Sequence, residues 1–126
     1  MNQFNKFHSA ISIEKLSDNF FKITPDRDYF VGNTPHGGYL KAVMNNALVS
    51  CLPHSTSISS SIQYLERTEA KDAFLEVDIL KVGRGSSSGF VKLIQDDKVR
   101  ATLTGTCSDF EYMKGFDGLN AEMPEI

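Results

Sequence analysis

Apolar residues recur at helical spacing in one convincing stretch of the chain, between Thr34 and Pro53. The positions that share one face of this predicted helix are Leu40, Val43, Met44, Ala47, Leu48, Cys51 and Leu52. The stretch opens near the pair Gly37–Gly38 and stops at a proline. At about 1.5 Å per residue, the pattern predicts a single helix of about 24 Å.

Most of the remaining chain alternates apolar and polar residues, which is typical of β-strands. Before the helix, the alternation predicts a hairpin whose turn contains Asp18 and Asn19. After the helix, four strands are predicted, of which the last three form a meander. The predicted strands cover residues 10–16, 20–24, 56–65, 73–82, 87–95 and 98–109.

Several details of these strands are predicted as well. A turn or bulge is expected at residues 83–86, and a tight hairpin at Asp96–Asp97. Alternation places Leu75, Val77 and Ile79 on the core side of their strand. It also places Ile58, Ser60, Ile62 and Tyr64 on one face of the strand that follows the helix.

The element order predicts an α+β domain. A helix and a sheet must each hide one face from water, so a curved antiparallel sheet wrapped around one long central helix is expected. Residues 1–110 are predicted to form this single domain. Residues 111–126 lose all periodicity and suit a tail or linker.

Composition narrows the class of protein. The 126 residues are 40% hydrophobic and 23% charged, as in ordinary globular proteins, and the net charge of −3 does not favour nucleic-acid binding. No apolar run reaches the roughly 20 residues of a membrane span, and the start lacks a signal-peptide core. The two cysteines have no metal-type spacing. We therefore expect a cytoplasmic protein without a nucleic-acid, membrane or metal partner.

Three short segments and the last strand carry a family resemblance. Residues 32–40 (GNTPHGGYL), 61–65 (SIQYL) and 82–86 (VGRGS), with the strand at 101–110, resemble the N-terminal half of acyl-CoA thioesterase II-like proteins, which have the hotdog fold. The likeness covers roughly residues 10–124. It implies acyl-CoA as substrate, with coenzyme A as part of that substrate and no separate cofactor.

The resemblance also bears on assembly. Members of that family usually carry two hotdog units, whereas this sequence holds one, so it is either a single-unit protein or the first unit of a longer one. A lone unit leaves a sheet edge open, and a homodimer or higher homo-oligomer is the expected remedy.

The start of the predicted helix offers candidate catalytic groups. Free backbone N–H groups at a helix start can stabilise an oxyanion, and Gly37 and Gly38 would let a thioester carbonyl approach them. The alternative is that these glycines only allow a strand to pack closely on the helix. His36 could orient water or the carbonyl, or it could simply cap the helix.

A catalytic acid is hard to find in the sequence. Residues 36–52 contain no Asp or Glu, and Asn45 can orient a water molecule but cannot accept its proton. The resemblance implies that the catalytic acid belongs mainly to the second unit, so an isolated first unit would be weak or silent. Asp26 and Asp28 are fallback acids, with solvated turn residues as the alternative.

Further residues are candidate substrate contacts. Ser60, Ser61 and Gln63 could line an acyl or thioester pocket, or form a polar outer face. Tyr39 is placed with them as a side chain that limits pocket depth. Arg84 could contact the phosphates of coenzyme A, or be a solvated turn arginine.

Three functions remain open on the sequence. The first is an acyl-CoA thioesterase that hydrolyses its substrate with water at a hotdog dimer interface. The second is a non-catalytic acyl-binding or dimerisation module. The third, a hotdog hydratase or dehydratase, would need Asp26 or Asp28 to pair with His36. No Gly-x-Ser-x-Gly elbow is present, which disfavours a serine hydrolase.

Overall fold

Six antiparallel strands form the main sheet, and one long helix packs on it. The computed structural model describes residues 11–32 and 34–109. The predictions for residues 1–10 and 110–126, including the tail, lie outside the described residues. The described elements, in chain order, are β1 (Glu14–Ser17), β2 (Phe20–Ile23), β3 (Phe30–Val31), β4 (Thr34–Pro35), α1 (Gly37–Cys51), β5 (Thr56–Tyr64), β6 (Ala73–Val82), β7 (Ser86–Gln95) and β8 (Lys98–Ser108).

The strand order confirms the predicted architecture. The main sheet runs β1-β2-β6-β7-β8-β5, so the last three strands form a meander and β5 is an edge strand. Turns of two residues close the β1–β2 and β7–β8 hairpins, where Asn19, Asp96 and Asp97 adopt φ of 60°, 54° and 60°. These are conformations that Asn and Asp tolerate better than most residues.

The apolar stripe of α1 faces the core, as its spacing predicts. The buried helix residues are Tyr39, Leu40, Val43, Met44, Ala47 and Leu48. They meet buried side chains of β2, β6, β7 and β8, which include Phe21, Leu75, Val91 and Leu103. Burial of this stripe fixes which face of α1 is turned toward the sheet.

The helix approaches the sheet at a pair of glycines. Gly89 of β7 and Gly105 of β8 are register partners, and the fully buried Leu48 lies over both. A Cβ at Gly89 would lie 2.5 Å from Leu48 Cδ1, and a Cβ at Gly105 would lie 2.6 Å from Leu48 Cδ2. The two missing side chains therefore create the space that Leu48 fills.

Two details of the predicted strands differ from the structure. Within the described residues the first strand begins at Glu14, because Ile11 lies against α1, where its carbonyl accepts from Asn46 Nδ2 at 2.8 Å. Ile58 is 45% exposed because β5 shifts register between Ser57 and Ser59, which interrupts the alternation. Ile79 keeps its predicted face, since it pairs with Gly89, whose Cβ position faces Leu48, although Ile79 is 42% exposed.

A second small sheet was not predicted. Strands β3 and β4 pair over two residues each, with Phe30 opposite Pro35, just before α1. The His36 N–H then donates to the Tyr29 carbonyl at 2.6 Å. These contacts anchor the chain immediately before the helix start.

The end of α1 is joined to the β6–β7 turn by a buried histidine. His54 is 5% exposed, its Nε2 lies 3.1 Å from the Arg84 carbonyl and its Nδ1 lies 2.8 Å from Ser87 Oγ. Because a carbonyl can only accept, Nε2 carries the proton and Nδ1 accepts from the Ser87 hydroxyl. No role was predicted for His54, and in the structure it links two loops.

Candidate functional site

The first turn of α1 is capped by its own N-terminal histidine. His36 Nδ1 accepts from the Gly38 N–H at 3.0 Å, with His36 in extended backbone conformation, as N-cap residues are. A neutral ring that accepts at Nδ1 carries its proton on Nε2. His36 is exposed, so this Nε2–H is a donor available outside the helix.

Gly37 leaves room for a close approach of a β5 side chain. The Tyr64 hydroxyl donates to the Gly37 carbonyl at 2.6 Å, and a Cβ on Gly37 would lie 2.8 Å from the Tyr64 oxygen. Of the two interpretations of the glycine pair, close packing therefore holds at Gly37. The Gly37 N–H itself makes no hydrogen bond with any residue in the described ranges. It is one of the helix-start donors that an incoming acceptor could use.

A cleft of about 430 Å³ lies beside this turn. Its lining residues are Gly37, Leu40, Tyr64, Leu65, Glu66, Arg67 and Thr68. One side is the helix start and the other is the end of β5 with the connection that follows it. The cleft thus combines apolar surface from Leu40 and Leu65 with charged groups at its rim.

Two buried polar residues hold the outer wall of the cleft in place. The Arg100 carbonyl accepts from the Leu65 and Glu66 N–H groups at 2.8 and 3.0 Å, and its guanidinium donates to the Arg67 carbonyl at 2.9 Å. Further along the connection, Gln95 Oε1 accepts from the Glu69 N–H at 2.9 Å. The wall is thereby tied to the β7–β8 hairpin.

Tyr39 belongs to the core rather than to the cleft. It is 3% exposed, its ring stacks on Tyr29 with centroids 5.1 Å apart, and its hydroxyl accepts from the Asp26 N–H at 2.9 Å. Burial raises the pKa of this phenol above its ordinary value. Tyr39 was predicted as a substrate contact, but it does not line the cleft.

Asn45 and the fallback acid Asp26 are each engaged in hydrogen bonds with other residues. Asn45 stands eight positions after Gly37, about 12 Å along the axis, and its Oδ1 accepts from Ser57 Oγ at 3.3 Å. The Asp26 carboxylate accepts from the Asp28 N–H at 2.9 Å and so caps the short helical turn before β3. The described residues provide no carboxylate on α1 itself.

The other predicted contacts are spread over the molecule. Ser60 is half-buried on the helix side of β5, whereas Ser61 is exposed on the opposite face with Gln63. Arg84 is exposed in the β6–β7 turn, which packs on His54 beyond the far end of a helix about 22 Å long. Of the predicted site residues, all of which lie in the described ranges, His36, Gly37 and Gly38 are the three that the helix start brings together.

Tyr64 is the residue of this site that the sequence analysis missed. Its alternation pattern correctly put it on the same face as Ser60 and Ile62. That face turns toward α1, and the antiparallel course of β5 brings its last residue level with the helix start. The relevant signal was therefore the position of a tyrosine at the end of the strand that follows the helix.

Comparison with known proteins assigns the family. The family model of the acyl-CoA thioesterase N-terminal domain matches residues 25–108, which is more than half of the chain. The chain belongs to this family. A comparison with curated protein sequences finds no match.

Solved structures with the same architecture confirm the hotdog fold. A candidate thioesterase II from Thermobifida fusca has a TM-score of 0.80 and 25% identity, and the alignment covers 83% of this chain and 39% of that one. The TesB protein of Mycobacterium avium subsp. paratuberculosis has a TM-score of 0.75 and 18% identity, with 85% and 43% covered. The chain thus spans about two fifths of the length of these two proteins.

A shorter protein is similar over its whole length. The phenylacetic acid degradation protein PaaI from Thermus thermophilus has a TM-score of 0.70 and 19% identity, with 83% of this chain and 99% of that one covered. The likeness at this identity is one of fold. The PaaI chain is therefore about as long as one hotdog unit, whereas the two proteins named before it are more than twice as long as PaaI.

The described residues show neither a membrane-spanning helix nor a metal-binding cluster. Within residues 11–32 and 34–109, no helix has the length and apolar character needed to span a membrane. In the same ranges, no three His, Cys, Asp or Glu side chains are grouped so that they could hold a metal ion.

Proposed function

We propose that this hotdog unit takes part in acyl-CoA thioester hydrolysis, with the thioester carbonyl bound at the start of α1. The observation that carries the proposal is the Gly37 N–H, which has no partner among the described residues and borders a cleft of about 430 Å³. The positive end of the helix dipole lies at the same place. Family membership supports the choice of a thioester as the ligand.

The proposed chemistry uses two donors from this turn. The thioester oxygen accepts from the Gly37 N–H, with the exposed His36 Nε2–H as the second donor, and both stabilise the charge that develops on that oxygen. Water attacks the carbonyl carbon, the carbon–sulfur bond breaks, and the departing coenzyme A thiolate takes up a proton. The proton lost by the water requires a base.

The base is proposed to come from a second hotdog unit. The α1 sequence has Asn45 and Asn46 but no Asp or Glu. Strand β5 has one side unpaired within the described sheet, and Ile58 and Tyr64 on it are 45% and 53% exposed. An open, partly apolar edge favours pairing with another unit, which is why we propose a dimeric arrangement of units.

A second candidate function rests on the same missing carboxylate. If this chain is the first unit of a longer enzyme, it serves as a non-catalytic binding or dimerisation module. The coverage of 39% of the Thermobifida fusca protein is consistent with that alternative.

The test separates capping from catalysis at His36. His36→Asn keeps a side-chain acceptor for the Gly38 N–H but removes the Nε2–H, since Asn is a preferred N-cap residue. Thiol release is measured with acyl-CoA substrates from acetyl-CoA to palmitoyl-CoA. We expect wild-type turnover, and a fall of about 10²-fold in kcat for His36→Asn with unchanged thermal stability.

The other outcomes decide between the two candidates. A wild-type chain that coenzyme A protects from thermal unfolding, but that turns over none of the substrates, supports the non-catalytic module. If the wild type showed neither turnover nor protection by coenzyme A, both thioester hydrolysis and acyl-CoA binding would be rejected. Equal kcat in wild type and His36→Asn would reject the proposed role of the imidazole.

A further inference from the structure

The peptide unit between Gly37 and Gly38 is held at both of its polar ends. Its N–H, from Gly38, donates to His36 Nδ1 at 3.0 Å, and its carbonyl, from Gly37, accepts from the Tyr64 hydroxyl at 2.6 Å. Glycine itself restrains its backbone angles very little. Two side chains therefore hold this peptide unit, in addition to the backbone hydrogen bonds of α1.

The neighbouring peptide unit depends on that restraint. The His36 carbonyl accepts from the Leu40 N–H at 3.1 Å, while the Gly37 N–H at the other end of the same unit is unbonded within the described chain. The two units are joined at the Gly37 Cα. Fixing one unit therefore limits the directions in which the Gly37 N–H can point.

We infer that Tyr64 is a positioning residue, whose hydroxyl holds the Gly37 carbonyl so that the Gly37 N–H faces the cleft. The inference rests on the proposed function, because positioning matters only if that N–H binds the substrate carbonyl. Tyr64 is itself a lining residue of the cleft and is 53% exposed, so its ring contacts the same space as the substrate. Its hydroxyl acts through the glycine.

Space at the glycine couples the two residues. A Cβ on Gly37 would lie 2.8 Å from the Tyr64 hydroxyl oxygen and 3.1 Å from the ring carbon that bears it. The tyrosine thus occupies the volume of the missing side chain. Partial burial raises the pKa of the Tyr64 phenol above its ordinary value.

The first experiment compares Tyr64→Phe with wild type in steady-state hydrolysis of the best acyl-CoA. Loss of one ordinary hydrogen bond should lower kcat by about threefold to tenfold. KM should stay within about twofold, because the ring that contacts the substrate is kept. Ser50→Ala is the matched control, since it removes a hydroxyl that donates to the Ala47 carbonyl at 2.7 Å, near the far end of α1. Its kcat should equal that of wild type.

Three results would overturn the inference. The first is an unchanged kcat in Tyr64→Phe with a lowered melting temperature, which would make the bond merely structural. The second is a raised KM with unchanged kcat, which would make Tyr64 an ordinary substrate contact. The third is an equal loss of kcat in Ser50→Ala. If the wild type itself has no turnover, the proposed function fails and the inference fails with it.

A double variant tests the coupling without depending on Tyr64→Phe alone. Gly37→Ala should lower kcat, because its methyl group displaces the tyrosine. Because the hydrogen bond from Tyr64 is already lost in Gly37→Ala, adding Tyr64→Phe should leave kcat within about twofold of the Gly37→Ala value. A double variant whose loss is the product of the two single losses would show that the residues act independently and would refute the inference.

Discussion

One added methyl group at Gly105 tests how the helix is seated on the sheet. In a strand, Gly→Ala ordinarily stabilises by about 0.5–1 kcal/mol. Here the new Cβ would lie 2.6 Å from Leu48 Cδ2 and 3.3 Å from the Ser59 carbonyl oxygen, and Leu48 is fully buried and cannot swing away. Overpacking of this kind costs about 1–3 kcal/mol. The clash therefore exceeds the usual gain, and we expect a net loss of about 1–2 kcal/mol in the free energy of unfolding.

The matched control removes the side chain that the methyl would meet. Leu48→Ala should itself cost about 3–5 kcal/mol through lost burial and the cavity left behind. In that background the closest remaining approach is 3.3 Å to the Ser59 carbonyl oxygen, so Gly105→Ala should become neutral or stabilising by up to about 1 kcal/mol. Gly89→Ala should also destabilise the wild type, since its Cβ would lie 2.5 Å from Leu48 Cδ1, but its 3.1 Å approach to the Asp78 carbonyl oxygen would remain after Leu48→Ala.

Urea unfolding of the four proteins in this cycle gives the coupling energy directly. The account predicts a coupling of about 2 kcal/mol, with the alanine less harmful when Leu48 is absent. The reasoning would be refuted if Gly105→Ala stabilised the wild type. It would also be refuted by the same cost in both backgrounds, because Leu48 would then not be the cause.

Two further predictions concern polar contacts outside the cleft. His54→Ala should lower the free energy of unfolding by about 2–5 kcal/mol in urea titrations, because it leaves the Ser87 hydroxyl and the Arg84 carbonyl without their partner. A loss below about 0.5 kcal/mol would contradict the role of His54 as a buried link between the two loops. For Asp96, the hydrogen bond with Lys71 is the main cause that lowers the pKa of the carboxyl. Its contribution to stability is therefore full above the ordinary aspartate value of about 3.9 and is lost as the pH falls through the lower folded value. Urea titrations across this pH range should show the stability difference between wild type and Asp96→Asn shrinking toward low pH, and a difference that does not change with pH would refute the assignment.

The helix could be predicted well because its signal is local. Helical spacing over residues 34–53 predicted an element that the structure places at Gly37–Cys51. Asp96 and Asp97 likewise identified a tight hairpin, since turn chemistry depends on neighbouring residues. The error in strand facing fell where β5 shifts register, because a bulge changes the facing of Ile58 without any mark in the composition.

Roles that depend on distant contacts were not accessible in the same way. In the sequence, Gly89 and Gly105 are residues with a low propensity for β-strands. Their presence in the strands is explained by their pairing beneath Leu48, which only the structure shows. His54 was placed in a loop, but its burial depends on Ser87, which is 33 positions away. Such contacts require the sheet order to be known first.

The candidate site shows the same division. The motif at His36 and Gly37 was identified from the sequence, and the structure places Gly37 at the edge of a cleft, with His36 directly before it in the chain. The sequence alone could not decide what the glycine does there, and the contact from Tyr64 answers that for the carbonyl side. Arg84 was grouped with the site by its chemistry, yet it lies beyond the other end of the helix.

The most direct test of the central claim is where an acyl-CoA analogue binds. A ketone analogue, in which a methylene replaces the thioester sulfur, keeps the carbonyl and cannot be hydrolysed. In an NMR titration, the account predicts the largest amide shift at Gly37, with further shifts at Leu40 and Leu65. Shifts confined to the surroundings of Arg84 and His54, or no saturable shift at Gly37, would contradict it.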